Sequence, residues 1–276
     1  MPKLQSYDDD QIQFHYSIDK NPKQTDFVTH THEHCELYYF ISGKGIFKIE
    51  GNEYHLRTGD VLIMRPTESH FIEVDENVPY ARAALHFKAS LFSNIDPEGV
   101  LLKPYFDREA GRFNLFHSDD FQSENYRIYL DNMLKDTETK RTQLISSLIP
   151  LLNEIYQAHK MRKDEEQSAE ENIIYRIVNY INRHLYEPVS LTEISEKFYI
   201  SKPQLCRSFK KSTGSSVWEY ITVKRLFRAK DLLRSGISPT SAAEQCGFND
   251  YSAFYRAYVK KFGMSPQKDA LSNKKQ

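Results

Sequence analysis

Cysteine is scarce in this chain. The three present, Cys35, Cys206 and Cys246, are odd in number and far apart. That excludes a disulfide framework and suits a reducing compartment. No run approaches the roughly 18 apolar residues that a membrane helix needs. The stretch MPKLQSYDDDQIQ has no apolar centre and carries three consecutive aspartates, so it does not read as a signal peptide. No internal repeat is visible in the first half. These absences lead to the expectation of a soluble, cytoplasmic protein with no membrane partner.

Net charge is almost absent too, at −1 over 276 residues, but the balance is uneven along the chain. From Glu187 onward there are 16 Lys and Arg against 8 Asp and Glu; before it there are 21 against 30. A basic tail on an acidic body suits a polyanionic partner. A solvated basic face is the plainer reading of the same count.

Between about residues 11 and 88 the signals are for strands. ELYYFIS and GIFKIEG are rich in aromatic and β-branched residues and are bounded by glycine. Turn signals at Gly43 and Gly45, at Gly51 with Asn52, and from Thr58 to Asp60 space short strands about 8 to 12 residues apart. This predicts an antiparallel sandwich or small barrel. Helical periodicity takes over near residue 120, in FQSENYRIYLDNMLKD and TQLISSLIPLLNEIYQAH. The charged stretch 160–172 reads as a linker. The expected organisation is a barrel over 1–118, a helical connector over 119–168 and an all-α domain over 169–276.

The tail is dense with helix punctuation. Ser190 with Glu193, Ser201 with Gln204 and Ser216 with Glu219 have the spacing of capping boxes. Ser238 precedes Pro239 at a helix start, and Gly247 can end that helix. Seven helices are expected, at about 170–186, 190–198, 202–212, 216–235, 239–246, 250–261 and 266–271. Within 187–214, Leu191, Ile194, Phe198, Leu205 and Phe209 can share a core. Lys202, Pro203, Cys206, Arg207 and Lys210 then lie on the outer face of the second helix. This is a helix-turn-helix layout, whose second helix enters the major groove. It recurs over 236–263, with Phe254, Tyr258 and Phe262 inward and Tyr251, Ser252, Tyr255, Arg256 and Lys260 outward. The helix between the units, some 20 residues, would be about 30 Å long. One duplex turn is about 34 Å. A single chain could thus read two unlike half-sites.

The tail resembles the DNA-binding domain of the AraC/XylS family of bacterial transcription regulators. GFNDYSAFYRAYVKKFGMSPQK, 247–268, carries the most specific part of the likeness, and Leu191, Ile194, Ser201, Leu205, Arg207, Phe209, Lys210 and Gly214 carry the rest. Its chemistry makes Arg207 and Arg256 candidate readers of guanine edges, because a guanidinium can bond a guanine in bidentate fashion. Lys202, Lys210 and Lys260 suit phosphates, which position without specifying. Ser201 and Asp250, with Tyr251 and Ser252, complete the candidate DNA-binding set.

The resemblance implies an N-terminal cupin-like barrel that binds a small effector. HTHEHCELYYFISG, 30–43, fits the first cupin motif, and GDVLIMRPTESH, 59–70, keeps the second in part, with Thr67 where a glycine is usual. In metal-dependent cupins the matching ligands would be His30, His32, Glu36 and His70. Three imidazoles and a carboxylate could hold a divalent ion. The residues equally suit a metal-free pocket. Glu36, Tyr38 and Phe40 share one strand face and offer what a polyol needs, a carboxylate, a phenol and an aromatic surface. Arg82 and His86, at even steps from Tyr80, could face the same space, and an arginine there would suit an anionic or hydroxyl-rich ligand. His34 falls on the opposite alternation. Purely structural histidines are the third reading.

The expectation is therefore a DNA-binding transcription regulator, activator or repressor. It would control carbohydrate genes through a sugar-like effector in the pocket formed by His30, His32, Glu36, Tyr38, Phe40, His70, Arg82 and His86. No catalysis and no obligatory cofactor are expected. The partners would be promoter DNA, the effector, a second copy of the chain through the connector helices, and RNA polymerase. The rivals are a metal-dependent cupin enzyme with a DNA-binding appendage, and an architectural DNA-binding protein whose barrel serves only to dimerise.

Overall fold

A computed structural model describes residues 5–162 and 172–272. The chain divides into two compact units, Met1–Glu170 and Glu171–Gln276. Most of the linker expected at 160–172 lies outside the described residues.

The first unit is built on two antiparallel sheets. The larger is ordered β1 (Gln5–Asp8), β2 (Ile12–Asp19), β8 (Tyr80–Phe87), β3 (Cys35–Ser42), β6 (Val61–Met64) and β9 (Leu115–Phe116). The smaller is ordered β5 (Asn52–His55), β4 (Gly45–Ile49) and β7 (His70–Val74). The large sheet is buried on both faces, which explains why CELYYFIS lacks a clean polar alternation. On one face Cys35, Leu37, Val61, Ile63, Leu85 and Phe87 pack against two helices, α2 (Asn125–Leu134) and α3 (Lys140–Arg162), through Leu130, Met133, Leu148, Leu152 and Ile155. On the other, Tyr38, Phe40, Leu62, Met64 and Tyr80 meet Phe47, Ile49 and Ile72 of the small sheet.

The stretch from 89 to 118, for which the sequence carried no periodic signal, forms 3-10 turns, a four-residue helix α1 (Lys103–Phe106) and β9. A buried ion pair pins it. Arg108 Nη1 and Nη2 lie 2.6 and 2.8 Å from Glu68 Oε1 and Oε2. Glu68 also accepts from the Gly111 and Arg65 amides, at 2.8 and 2.9 Å.

The second unit holds seven helices among the described residues: α4 (Ile173–Arg183), α5 (Leu191–Lys197), α6 (Lys202–Thr213), α7 (Val217–Arg234), α8 (Pro239–Gln245), α9 (Tyr251–Phe262) and α10 (Pro266–Ser272). Local signals placed their boundaries well. The serine hydroxyls of Ser190, Ser201, Ser216 and Ser238 each accept the backbone N–H three residues on. Only Ser216 with Glu219 forms a reciprocal capping box, Glu219 accepting from the Ser216 amide at 2.8 Å. Glu193 instead accepts from the Tyr180 hydroxyl, so the box expected there is half made. The long helix α7 is shared between two cores. Val217, Tyr220 and Ile221 belong with Ile194, Leu205 and Phe209, whereas Leu226, Ala229 and Leu233 belong with Ala242, Phe254 and Tyr258.

Candidate functional site: a barrel cavity and two exposed helix faces

Strand register assembles the pocket. Glu36 on β3 stands directly opposite His86 on β8, and Tyr38 opposite Ala84. On the other side of β8, His15 of β2 stands opposite Ala84. His30 and His70 exchange backbone hydrogen bonds of 3.0 and 3.2 Å in an isolated bridge, which brings the two partial motifs together. The turn at 24–26 is tied to β7 by the Gln24 amide, which donates to Ile72 O and accepts from Val74 N, both at 2.9 Å. That tie sets Phe27 over the space between the sheets.

The result is a cavity of about 430 Å³ lined by both sheets and by the segment before β3. His30, Glu36, Tyr38, Arg82 and His86 line it as the sequence led one to expect. Phe40 does not. It is fully buried in the core, in contact with Tyr80. His32 and His70 stand behind Glu36. Sequence reasoning missed His15, Asp26, Phe27, Phe47 and Ile72, which also line the space. His15 has a period-2 signal within β2; Phe27 is placed by contacts remote in sequence and has none. His34 is half-buried, not fully exposed.

Glu36 is the electrostatic centre. Its Oε2 lies 2.8 Å from His32 Nε2, 3.0 Å from His70 Nε2 and 3.4 Å from His86 Nε2. Burial alone would raise its pKa; the imidazoles of His86, His70 and His32 outweigh that and hold the carboxyl well below its usual range. Burial opposes protonation of His86, but the facing carboxylate overcomes it and raises the His86 pKa. His30, at the exposed rim, is the reverse case, lowered to about 4 by the desolvation its neighbours impose and by His70.

The tautomers matter here. His30, His32 and His70 each place Nδ1 within 3.0 Å of a backbone carbonyl, of Val28, His34 and Glu68 respectively. A carbonyl can only accept, so each Nδ1 carries hydrogen; a neutral ring then keeps its lone pair on Nε2, and a ring that also donates from Nε2 to Glu36 is protonated. His70 Nε2 is buried and makes no directed hydrogen bond. Donor atoms of His30, His32, Glu36 and His70 all lie within 4.8 Å of one another. This is how histidine ligands are held in metal sites, with the second nitrogen on a carbonyl. The residues therefore fit a divalent cation.

In the second unit, Lys202, Pro203, Cys206, Arg207 and Lys210 are exposed on α6, and Ser252, Tyr255, Arg256 and Lys260 on α9. Gln204 and Ala253 are exposed beside them in the first turns and were not singled out from the sequence. Ser201 and Asp250 act locally as caps, Asp250 accepting from the Ser252 and Ala253 amides at 2.8 and 3.2 Å. Tyr251 is half-buried, its hydroxyl accepting from Gln267 at 2.7 Å.

A ligand-sized barrel cavity and a pair of helix-turn-helix units sharing one helix define a class, that of ligand-responsive DNA-binding regulators. The family model described as "AraC-like ligand binding domain" matches residues 15–108, and "Helix-turn-helix domain" matches 194–270. The Msm operon regulatory protein of Streptococcus mutans serotype c is 23% identical over 256 residues, 92% of this chain and 90% of its own. The HTH-type transcriptional activator RhaR of Yersinia pestis bv. Antiqua is 24% identical over 253 residues, 89% of this chain and 85% of its own. Among solved structures, ToxT of Vibrio cholerae covers 95% of this chain and 98% of its own at 10% identity, with a TM-score of 0.40, too loose a likeness to bear on the argument. The chain belongs to the AraC family of DNA-binding transcription regulators. No described helix is long and apolar enough to cross a membrane.

Proposed function

We propose that the barrel cavity binds a small hydroxylated metabolite, and that its occupancy alters how α6 and α9 engage a promoter. The observation that carries this is the cavity itself. It has a polar end of Glu36, Tyr38 and His86 and an apolar wall of Phe27, Phe47 and Ile72, in a chain that also carries two exposed helix faces. Pockets of this size and mixed lining suit small ligands. The relatives' names, an Msm operon regulator and RhaR, are compatible with carbohydrate control. The protein is a regulator rather than an enzyme in this reading, acting in the cytoplasm.

Residues 1–118 sense, 169–276 bind DNA, and 119–168 join them and offer a surface for a second copy. Helix α7 has 18 residues and would be about 27 Å long. That suits recognition helices set in successive major grooves, about 34 Å apart. Activation would add a contact with RNA polymerase. The test is footprinting of the neighbouring promoter with and without a sugar panel. Protection of two adjoining grooves, altered by one compound, is expected. Protection of a single groove, or indifference to every compound that stabilises the protein, would refute it.

A second reading is favoured by the donor atoms of four side chains that lie within 4.8 Å of one another. His30, His32, Glu36 and His70 would hold a first-row divalent ion. Such an ion would act as a fixed positive charge and Lewis acid toward ligand hydroxyls. Elemental analysis of the purified protein tests it, with His32→Ala and Glu36→Gln together as the control. A stoichiometric ion accompanied by turnover of a sugar would favour the enzymatic alternative.

A further inference from the structure

Arg82 is a cation in a half-enclosed place with no anion to meet. It lies on β8, one inward step from Ala84, and lines the cavity. Its guanidinium carbon is 5.0 Å from the centre of the Phe27 ring and 5.8 Å from that of Tyr80. Two aromatic rings thus flank the group without supplying a negative charge. The polar group beside it is the buried Tyr80 hydroxyl, which interacts with the guanidinium but carries no charge to neutralise it. Among the described residues no carboxylate pairs with Arg82.

Three other cations of this unit show what a match looks like. Arg108 is clamped on Glu68, Lys48 on Glu53 and Glu73, and Arg141 on Asp9. The cavity carboxylate, Glu36, is engaged by three imidazoles, so it does not neutralise Arg82. Asp26, at the rim, is exposed and its carboxylate accepts from Thr25. The Tyr38 hydroxyl also lines the space and is buried without a hydrogen-bond partner.

A ligand filling this cavity removes water from Arg82. A neutral polyol would leave the charge uncompensated in a drier site, which is unfavourable. A carboxylate would meet the guanidinium through two parallel charge-assisted hydrogen bonds. We propose that the effector is a carboxylate-bearing polyol, a sugar acid, whose carboxylate is held by Arg82 and whose hydroxyls face Tyr38, Glu36 and His86. This rests on the reading of the cavity as the effector site. The aromatic and aliphatic wall of Phe27, Phe47 and Ile72 would take the C–H face of the sugar.

Calorimetric titration of the full-length protein tests it. The probes are glucuronate, galacturonate and gluconate against glucose, galactose and glucitol, each with and without EDTA. At least one acid is expected to bind tenfold or more tightly than its neutral counterpart, with or without EDTA. Arg82→Gln should cost that acid at least tenfold and, by removing the uncompensated charge, should not weaken its neutral counterpart. Arg82→Lys, which keeps the charge and loses the fork, should fall between. Unaltered melting temperature and promoter affinity in both variants would establish that they fold. Neutral sugars binding as tightly as acids, or acids indifferent to Arg82→Gln, would overturn the proposal and leave the effector reading intact. Acid binding that survives Arg82→Gln and is abolished by EDTA would assign the carboxylate to a metal and overturn it too. Silence of all six compounds would count against both readings.

Discussion

Arg225, midway along α7, donates from Nη1 to the carbonyl of Gly247 at 2.6 Å, in the turn of the second helix-turn-helix unit. Its Nε and Nη2 donate to Leu185 O and Glu187 O at 2.7 and 2.9 Å. One guanidinium therefore ties the shared helix both to the segment after α4 and to the second unit. Gly247 has φ of +77°, and a Cβ built on it would stand 2.7 Å from Tyr186 O. Gly247→Ala meets both a backbone penalty and a backbone clash. It should destabilise the unit by about 2–4 kcal/mol, read by urea unfolding followed by far-UV dichroism. A loss below about 0.5 kcal/mol would show that the turn relaxes freely.

The Glu68–Arg108 pair is buried on both sides. Arg108→Met leaves a buried carboxylate without its partner and should cost about 3–5 kcal/mol. The double change Glu68→Leu with Arg108→Met should cost less than Arg108→Met alone, because no lone charge remains. Thermal unfolding of the two variants beside the parent checks the order; a double mutant worse than the single would contradict it.

Thr67 occupies the left-handed region at φ of +68°, where the second motif usually has glycine. A β-branched residue is strained there by about 1–2 kcal/mol. Glycine would relieve that at an entropic cost of about 0.5–1 kcal/mol. Thr67→Gly should thus raise stability by up to about 1 kcal/mol, and a decrease in melting temperature would show that the threonine side chain has a compensating role.

The Asp9 carboxyl is pushed up by burial, but the Gln11 and Ile12 amides, the Tyr7 hydroxyl and Arg141 more than offset this and bring it from 3.8 to about 2. A folded-state pKa below the unfolded one stabilises above about pH 4 and is lost as pH falls from there toward 2. Asp9→Asn should flatten the acid limb of the stability curve in that window. An unchanged acid limb would mean that the carboxylate is not held in solution.

On DNA, Arg256→Ala should relax sequence preference at one position by about 1–3 kcal/mol, while Lys260→Ala should weaken binding to all sequences and reduce the salt slope by about 1. Competition with random DNA at two salt concentrations separates the effects. If neither change alters promoter binding, α9 does not lie in the groove.

The second unit was legible because its determinants are local. Serine caps, Pro203 and Pro239 in first turns, and the spacing of Leu205 with Phe209 and Phe254 with Tyr258 act within four residues. Where a local rule failed, a distant group had intervened, as when Tyr180 drew Glu193 out of its capping box. In the barrel, period-2 alternation named Glu36, Tyr38, Arg82 and His86 but could not separate cavity from core, so Phe40 was placed in the pocket although it is packed beneath it.

The sequence by itself determined which residues could carry charge, donate or stack, and it determined the helices, whose hydrogen bonds close over four residues. The tertiary structure decided which of those groups meet. The His30–His70 bridge, the Glu36–His86 register and the seating of Phe27 by Gln24 on β7 all join segments remote in sequence. It also decided that Glu36 would be surrounded by imidazoles while Arg82 lined the same cavity between two aromatic rings. Strand pairing sets such neighbours, and pairing depends on the whole sheet rather than on any one stretch of chain.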